Sequence, residues 1–318
     1  MINDVRKAKQ DFLPKGAFIV SDYYAELDIQ SLMDHTTERT FQLLDEETIS
    51  SLESYTTIKM IHKVGFDGSL GQSVYKQFTT ETKRNLKIED SLFLTCTVPL
   101  ELSDSNGNSI WMNLKPSSTL LVYSIYCRTM RFRFVKEKKQ LFIEEHDFIR
   151  KADLSPTLIG TLSVEHVFEI TMTDGKVATA LSKVTDSSQS CSVCACTPKH
   201  MNNLDKVTKQ SFNETGLEHG LSTLHAWIRL MECCLHISYK LEILKWQARG
   251  EEGKAWYYMP QSLHKILTHG HQVIRLKRLP MGMLSEEAQE SRNKDFKKFK
   301  EHFERKFSRV KTNEDLMR

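Results

Sequence analysis

The sequence predicts an α/β (mixed α+β) fold in which the strands precede most of the helices. Alternating apolar segments are concentrated between residues 56 and 172, and alternation with a period of two is typical of strands. Longer stretches with helical spacing follow them. The chain has 318 residues, 40% of them hydrophobic and 27% charged, which is enough for a large packed core. This order of patterns indicates an α/β domain with a helical appendage.

Individual elements follow from local spacing and turn residues. The polar residues 1–55 have a mostly helical pattern, and Asn106–Gly107 is a hairpin signal. Residues 137–152 are predicted to be helical, as is the short stretch after Gly175. In a predicted strand before Asp67, the apolar residues Ile58, Met60, Val64 and Phe66 all stand at even-numbered positions, as alternation requires. We predict that this strand ends at Asp67–Gly68.

Charge and cysteine content restrict the class of protein. The net charge of +3 does not by itself indicate nucleic-acid binding, but Lys and Arg outnumber the acids in the segment after Glu290. The seven cysteines are spaced irregularly, which favours reduced thiols or metal ligands over a disulfide framework. The N-terminal residues have no apolar signal core, and no apolar run approaches the ~18 residues of a membrane span. We therefore expect an intracellular protein that is not in a membrane.

A pair of cysteines, Cys191 and Cys194, has the C-x-x-C spacing of a zinc knuckle. The chain has no second C-x-x-C, so two further ligands must come from elsewhere. His264 and His269 form an H-x4-H pair, within the spacing that zinc sites favour. One hypothesis is a Cys2His2 zinc site, and the other is that the cysteines are inert buried thiols and the histidines lie on the surface.

Three acidic residues could carry chemistry. Asp67 and Asp174 both follow strand-like runs and precede glycine, although Asp-Gly is also a common turn dipeptide. Glu290 lies on the final predicted helix, opposite an apolar stripe that we expect to face the core. Lys294 and Lys297 share its face. The stripe consists of Phe296, Phe299, Phe303 and Phe307.

Three carboxylates would suit two-metal phosphoryl transfer, in which acidic side chains hold two Mg²⁺ ions. Basic residues nearby would bind DNA phosphates. Arg131 and Arg133, which alternate with phenylalanines on one predicted strand, are DNA-contact candidates together with Lys294 and Lys297. The alternative is that these charges lie on ordinary solvated faces of a strand and a helix.

Six segments carry a family resemblance. They are FDGSLGQSVYKQ, VYSIYCRTMRFRFVKE, FEITMTDGKVATAL, CSVCACTPKHMN, LHAWIRLMECC…KWQAR and QSLHKILTHG…SEEAQESRNKDFKKFKE. In this order, they resemble the Transib transposases and the catalytic subunit of the V(D)J recombinase. The resemblance covers most of residues 20–318.

The resemblance implies the roles of seven residues. Asp67, Asp174 and Glu290 match the DDE acids of the family, which bind Mg²⁺ or Mn²⁺. The matching zinc ligands are Cys191, Cys194, His264 and His269. The implied activity is that of a DNA transposase or recombinase endonuclease, which nicks DNA and then joins the freed 3′-OH to the opposite strand to form a hairpin end.

The resemblance also implies an architecture and partners. The fold would be a ribonuclease-H-like core with a helical, zinc-pinned insertion between the second and third acids. The expected segments are a helical lead-in over 1–55, the core over 56–190, the insertion over 191–283 and a catalytic helix over 284–318. We expect double-stranded DNA as the partner, a homodimer, and localisation in the nucleus, and leave open an accessory subunit.

Two departures from the family affect these expectations. The sequence starts after the family's N-terminal DNA-recognition module, and the insertion is much shorter between KWQARGEEGK and AWYYMP. These losses affect target recognition and activity. The alternative function is therefore a catalytically inactive, zinc-containing DNA-binding or scaffold protein derived from a transposase.

Overall fold

The computed structural model describes residues 18–52, 55–71, 90–114, 127–182, 190–201, 203–207, 213–219, 230–238, 260–302 and 308–317, with the single residues 14, 209 and 226. The chain forms two compact units. The first comprises Met1–Ile170 and Glu287–Arg318, and the second comprises Thr171–Glu286. Among the described residues, no helix combines the length and the apolar character needed to cross a bilayer.

The strands form one mixed sheet. They are β1 (Phe18–Val20), β2 (Tyr24–Leu27), β3 (Thr57–Leu70), β4 (Ser91–Ser103), β5 (Ser109–Met112), β6 (Arg128–Arg133), β7 (Thr157–Ile159) and β8 (Leu162–Met172). Their order in the sheet is β1-β2-β6-β4-β3-β8-β7, and β5 pairs with β4. This mixed α+β architecture agrees with the predicted fold class.

The described part of the chain also contains nine helices with defined bounds. They are α1 (Ile29–Phe41), α2 (Glu46–Leu52), α3 (Lys139–Arg150), α4 (Gly175–Ser182), α5 (Leu204–Val207), α6 (Glu214–Glu218), α7 (Gln261–Leu276), α8 (Glu287–His302) and α9 (Arg309–Met317). A short 3₁₀ turn spans Pro198–His200. The helices predicted over 137–152 and after Gly175 are confirmed.

The centre of the sheet is antiparallel except at one strand pair. The strand β3 pairs antiparallel with β4, and β4 pairs antiparallel with β6. The neighbouring β8 contacts β3 in the parallel sense: Ser163 N–H donates to Thr56 at the start of both strands, and His62 contacts His166 and Phe168 further along. Strand β4 is buried along its whole length and β3 along most of it, whereas β8 is partly exposed.

Local expectations can be compared with the described residues. Within 18–52 the helices α1 and α2 agree with the mostly helical pattern predicted for residues 1–55, although 18–20 and 24–27 are strands. Strand β3 does not end at Asp67–Gly68 but continues to Leu70, since β4 pairs with it along that length. The hairpin at Asn106–Gly107 is confirmed by the antiparallel β4–β5 pairing. It is held by Asp104, whose carboxylate accepts two backbone N–H bonds in the turn.

The buried face of α8 differs from the predicted phenylalanine stripe. Phe296 is buried against Phe132, with ring centroids 5.4 Å apart, but Phe299 is 43% exposed. Lys300 is buried instead, with its ammonium 4.2 Å from the centroid of the Phe134 ring. A cation over an aromatic face can replace an apolar side chain at a helix contact. The predicted positions Phe303 and Phe307 lie outside the described residues.

A buried chain of hydrogen bonds joins two histidines of the first unit. The Thr157 hydroxyl donates to Asp34 at 2.6 Å and therefore accepts from His166 Nε2 at 2.8 Å. This leaves His166 Nδ1 as an acceptor, 3.1 Å from His62 Nε2, which donates to it. Burial and the neighbouring His166 hold the pKa of His62 well below its usual value. Burial lowers the pKa of His166 from 6.5 to about 4.

We expect this histidine pair to make the fold acid-sensitive. A proton on His166 Nδ1 would break the bond from His62. The folded pKa of His166 is depressed from 6.5 to about 4, so between these pH values the unfolded chain binds a proton that the folded chain does not. Stability is therefore complete above pH 6.5 and is lost as the pH falls towards about 4. The loss should be on the order of 3 kcal/mol. Urea unfolding between pH 7.5 and 4.5 measures it.

The matched variants are His166→Gln and the exposed His271→Gln. The pH slope should be shallower in His166→Gln and unchanged in His271→Gln. Equal slopes in the parent and His166→Gln would contradict the assignment.

Candidate metal centres

Four predicted ligands converge in the second unit. One atom each of Cys191, Cys194, His264 and His269 lies within 4.8 Å of the others, and all four residues are buried. The Cys194 sulfur and His264 Nε2 are 3.5 Å apart. The two imidazole rings are nearly perpendicular, at 84°, with centroids 5.4 Å apart.

The cysteines are held by a tight backbone turn. Ala195 N–H donates to the Cys191 carbonyl, and Cys191 N–H donates to the Cys196 carbonyl, both at 2.9 Å. Ala195 has φ of 57°, a left-handed conformation that costs a non-glycine residue about 1 kcal/mol. Such strain is found where the surroundings fix a functional geometry.

Two short contacts support this turn from outside. Asn213 N–H donates to the Val193 carbonyl at 2.8 Å. A Cβ atom on Gly216 would lie 2.2 Å from the Ser192 carbonyl oxygen, so α6 can pack here only with glycine at this position. The histidines come from α7, whose first residue, Gln261, donates to Ser190 O and to Thr179 Oγ1 of α4.

The sulfur atoms have strongly shifted acidities. A hydrogen bond from Cys194, with further bonds from His264 and His269, holds the pKa of Cys191 far below its usual range, to about 2. The same contact with Cys191, together with burial, raises the pKa of Cys194. The contacts around Cys191 therefore favour its thiolate form, the form in which cysteine binds metals.

The donor set fits zinc. Zinc sites are tetrahedral, with Zn–S near 2.3 Å and Zn–N near 2.0–2.1 Å, which places a sulfur and a nitrogen ligand about 3.5 Å apart. The 3.5 Å between Cys194 and His264 agrees with that spacing. His264 is also oriented from its second nitrogen, because Nδ1 lies 3.4 Å from the Thr268 hydroxyl. Such outer contacts are typical of metal-binding histidines.

A second group of possible ligands lies at Asp67 in the first unit. Asp67 and Glu137 each have a carboxylate oxygen within 4.8 Å of the other. Their close approach depends on Gly68, since a Cβ atom there would lie 3.2 Å from the Glu137 carboxyl carbon. The Asp-Gly pair therefore does not form a turn. Its glycine makes room inside a strand for a second carboxylate.

Helix α8 also contacts Asp67. Asn293 Nδ2 donates to Asp67 Oδ2 at 3.2 Å, and Gln289 Nε2 donates to the Leu94 carbonyl of β4 at 3.0 Å. Glu290, one turn before Asn293, is half-buried in the first turn of α8. It does not belong to the group of mutually close acids found among the described residues.

Asp174 lies in the second unit, two residues after β8. Its carboxylate accepts from Val177 N–H at 2.7 Å, so it caps the first turn of α4. The side chain of Lys265 in α7 is buried, and burial lowers its pKa, while the charges of Cys191, Glu286 and Asp174 oppose that shift. A buried ammonium thus lies in the field of Asp174, a feature that the sequence pattern did not indicate.

The four DNA-contact candidates differ in their surroundings. Arg131 is buried and paired with Glu145 at 2.7 Å, so the structure places it in the core and not on a DNA-facing surface. Arg133 is partly exposed and bonds Glu144 at 3.0 Å. Lys294 and Lys297 are exposed on α8, and the Lys297 ammonium would lie 3.6 Å from a Cβ atom on Gly71, just after β3.

Comparisons with known proteins do not identify the chain. Its sequence matches no known protein-family model, and no curated protein matches it significantly.

Proposed function

We propose that this chain is a metal-dependent DNA endonuclease of the DDE transposase and recombinase type. Asp67, Asp174 and Glu290 would hold Mg²⁺ or Mn²⁺. The observation that carries the proposal is that α8, the helix bearing Glu290, contacts Asp67 directly through Asn293. A second carboxylate, Glu137, stands within 4.8 Å of Asp67, and oxygen ligands of this kind suit magnesium and manganese.

Strand order supports the ribonuclease-H-like core that we propose. Along the sheet, the main strands run β6-β4-β3-β8. The first three in sequence are antiparallel, and β8 joins β3 in parallel after the helix α3. Asp67 lies near the carboxyl end of β3, and Asp174 follows β8 by two residues. These are the chain positions expected for the first two acids.

The proposed reaction has two steps. Water first cleaves one DNA strand and frees a 3′-OH, which then attacks a phosphate of the opposite strand and displaces that strand's own 3′-oxygen. When bound, the metal ions would supply Lewis-acid activation of the attacking oxygen and charge stabilisation at the leaving oxygen. Asp67 would bind metal with its orientation fixed by Asn293. Lys294 and Lys297, exposed on α8, would bind the DNA phosphates on either side of the reacting one.

The remaining expectations belong to the same proposal. The Cys2His2 cluster would hold structural Zn²⁺. Double-stranded DNA would be the substrate, a homodimer would cut two DNA ends together, and the protein would act in the nucleus, with an accessory subunit left open. The formal net charge of +3 is compatible with DNA binding, and the exposed lysines of α8 provide a local basic face.

A second function is favoured by one observation. Glu290 stands outside the acidic group of the described residues, which supports a catalytically inactive, zinc-containing DNA-binding or scaffold protein derived from a transposase. Such a protein would bind DNA without cutting it.

Plasmid nicking tests the choice between the two functions. The parent chain should nick supercoiled DNA with Mg²⁺ or Mn²⁺ and not with EDTA. Asp67→Asn should lower the rate on the order of 10³-fold, because a metal-holding carboxylate contributes several kcal/mol to the transition state. The control, Asp153→Asn, changes an exposed aspartate and should nick like the parent. Equal metal-dependent rates in parent and Asp67→Asn, or no nicking by either, would exclude the proposed activity.

A further inference from the structure

Gln261, the first residue of α7, connects two parts of the second unit. Its Nε2 group donates to the Thr179 hydroxyl of α4 at 3.0 Å and to the carbonyl of Ser190, so both hydrogens of the side-chain amide are used. Ser190 stands directly before Cys191, and α7 also carries both histidines of the Cys2His2 cluster. Gln261 therefore lies between that cluster and α4.

The contact with α4 reaches the residue that follows Asp174. The Thr179 hydroxyl accepts from Gln261 and donates to the Gly175 carbonyl at 2.7 Å. Gln261 also packs directly on Gly175, because a Cβ atom there would lie 3.2 Å from Gln261 Oε1. Asp174 in turn accepts from Val177 N–H at 2.7 Å. Gln261 thus holds the first turn of α4, which Asp174 caps.

The chemistry of these contacts requires an amide at position 261. Thr179 and Ser190 are each only 2% exposed, and buried oxygen atoms of this kind are normally satisfied by a donor. A glutamine side chain carries two hydrogens on one nitrogen, whereas an ionised glutamate carries none. Glutamine can therefore join the two oxygens, and neither glutamate nor alanine can replace it.

We propose that Gln261 is a positioning residue for Asp174, which it fixes relative to the turn that carries Cys191 and Cys194. The inference rests on the proposed function in taking Asp174 as a metal ligand and the cluster as a zinc site. Bound zinc would hold α7 against that turn, and Gln261 would then hold the start of α4. A displacement of about 1 Å in a reacting group can cost on the order of 10²-fold in rate, so the reaction would depend on this contact.

Amide hydrogen exchange of the zinc-loaded full chain tests the inference without DNA. In Gln261→Ala, the Val177 amide should exchange on the order of tenfold faster than in the parent, the size of effect expected for lost hydrogen bonds that hold a local turn. Thr179→Val removes the hydroxyl and should have the same effect, whereas Thr179→Ser keeps it and should exchange like the parent. The control, Gln140→Ala, changes an exposed glutamine of α3. Mass spectrometry gives the zinc content of each variant.

Nicking kinetics distinguish a positioning role from a merely structural one. In an active parent, Gln261→Ala and Thr179→Val should lower kcat on the order of 10–100-fold. The KM for DNA should stay nearly unchanged, because the lysines proposed to bind phosphates are retained. Thr179→Ser should restore the parent's kcat.

Exchange and nicking also separate this inference from the proposed function. If Gln261→Ala and Thr179→Val accelerate exchange at Val177 but the parent cuts no DNA, Gln261 does hold the Asp174 turn and the nuclease proposal fails. Unchanged exchange in both variants would overturn the inference whether or not the parent nicks. Faster exchange with an unchanged kcat in an active chain would overturn it too. If Gln261→Ala loses its zinc, Thr179→Val decides by the same criteria, because it leaves the bond to Ser190 in place.

Discussion

Cys194→Ser should unfold much of the second unit. Its four clustered ligands are buried, and the surrounding apolar residues are few. They pack around the cluster itself: Val193, Cys196, Met201, Val207, Leu217 and Val273. Structural zinc contributes on the order of 10 kcal/mol in small domains, which is comparable to the whole free energy of unfolding of a typical domain, about 5–15 kcal/mol. A serine hydroxyl is a poor zinc ligand, so removing this one sulfur should cost most of that stabilisation.

Chelation of the parent chain should have the same effect. Far-ultraviolet circular dichroism and limited proteolysis before and after metal removal measure it, with zinc content determined by mass spectrometry. The control is Cys234→Ser, which changes an exposed thiol outside the cluster and should leave both zinc content and stability unchanged. A metal-free chain that melts at the parent's temperature would show that the cluster is an ordinary buried thiol and histidine group.

The cysteine cluster shows what spacing can predict. C-x-x-C and H-x4-H restrict the local geometry strongly, so the sequence alone suggested which four residues to bring together. It could not predict the support of the turn by Gly216 and Asn213, because the short helix α6 has no periodicity long enough to recognise. The contact is visible only when both backbones are in place.

The acidic residues around Asp67 show what sequence patterns fail to predict. Asp67 was identified because it precedes glycine, but the expected turn was wrong, since pairing with β4 extends the strand. Glu137 and Asn293 gave no signal, because Glu137 lies in a lysine-rich segment and Asn293 belongs to no recognisable motif. Their placement depends on tertiary packing, which joins positions that are up to 226 residues apart.

Arg131 shows a limit of alternation in a buried strand. Arg–Phe alternation predicts one polar and one apolar face. In this sheet the polar face of β6 is covered by α3, so Arg131 is buried with a partner from that helix. From the alternation alone, a polar strand face that is exposed to solvent cannot be distinguished from one that is covered by a helix with charges of the opposite sign.

The ion pair that buries Arg131 should be the most mutation-sensitive contact of the first unit. Glu145 has no exposed side-chain surface, and it accepts from Arg131 Nε and from the Thr95 hydroxyl, both at 2.7 Å. Arg131 also reaches Glu26 at 3.2 Å and stacks on Phe148. These contacts join α3 to β2, β4 and β6.

Arg131→Met should lower the free energy of unfolding by about 3–5 kcal/mol, because it leaves Glu145 charged and buried without its main partner. Glu145→Leu should cost a similar amount for the converse reason. The double variant Arg131→Met/Glu145→Leu should be less destabilised than the sum of the single variants, since no unpaired charge remains in the fully buried positions and apolar side chains fill the space. Urea unfolding of the four proteins gives this coupling energy.

A surface ion pair is the control for this double-mutant cycle. Lys151 and Asp147 are 2.6 Å apart on α3, but both are substantially exposed. Lys151→Ala should therefore cost no more than about 0.5 kcal/mol. If Arg131→Met were equally mild, or if the single effects simply added in the double variant, Arg131 would not be held by a desolvated pair.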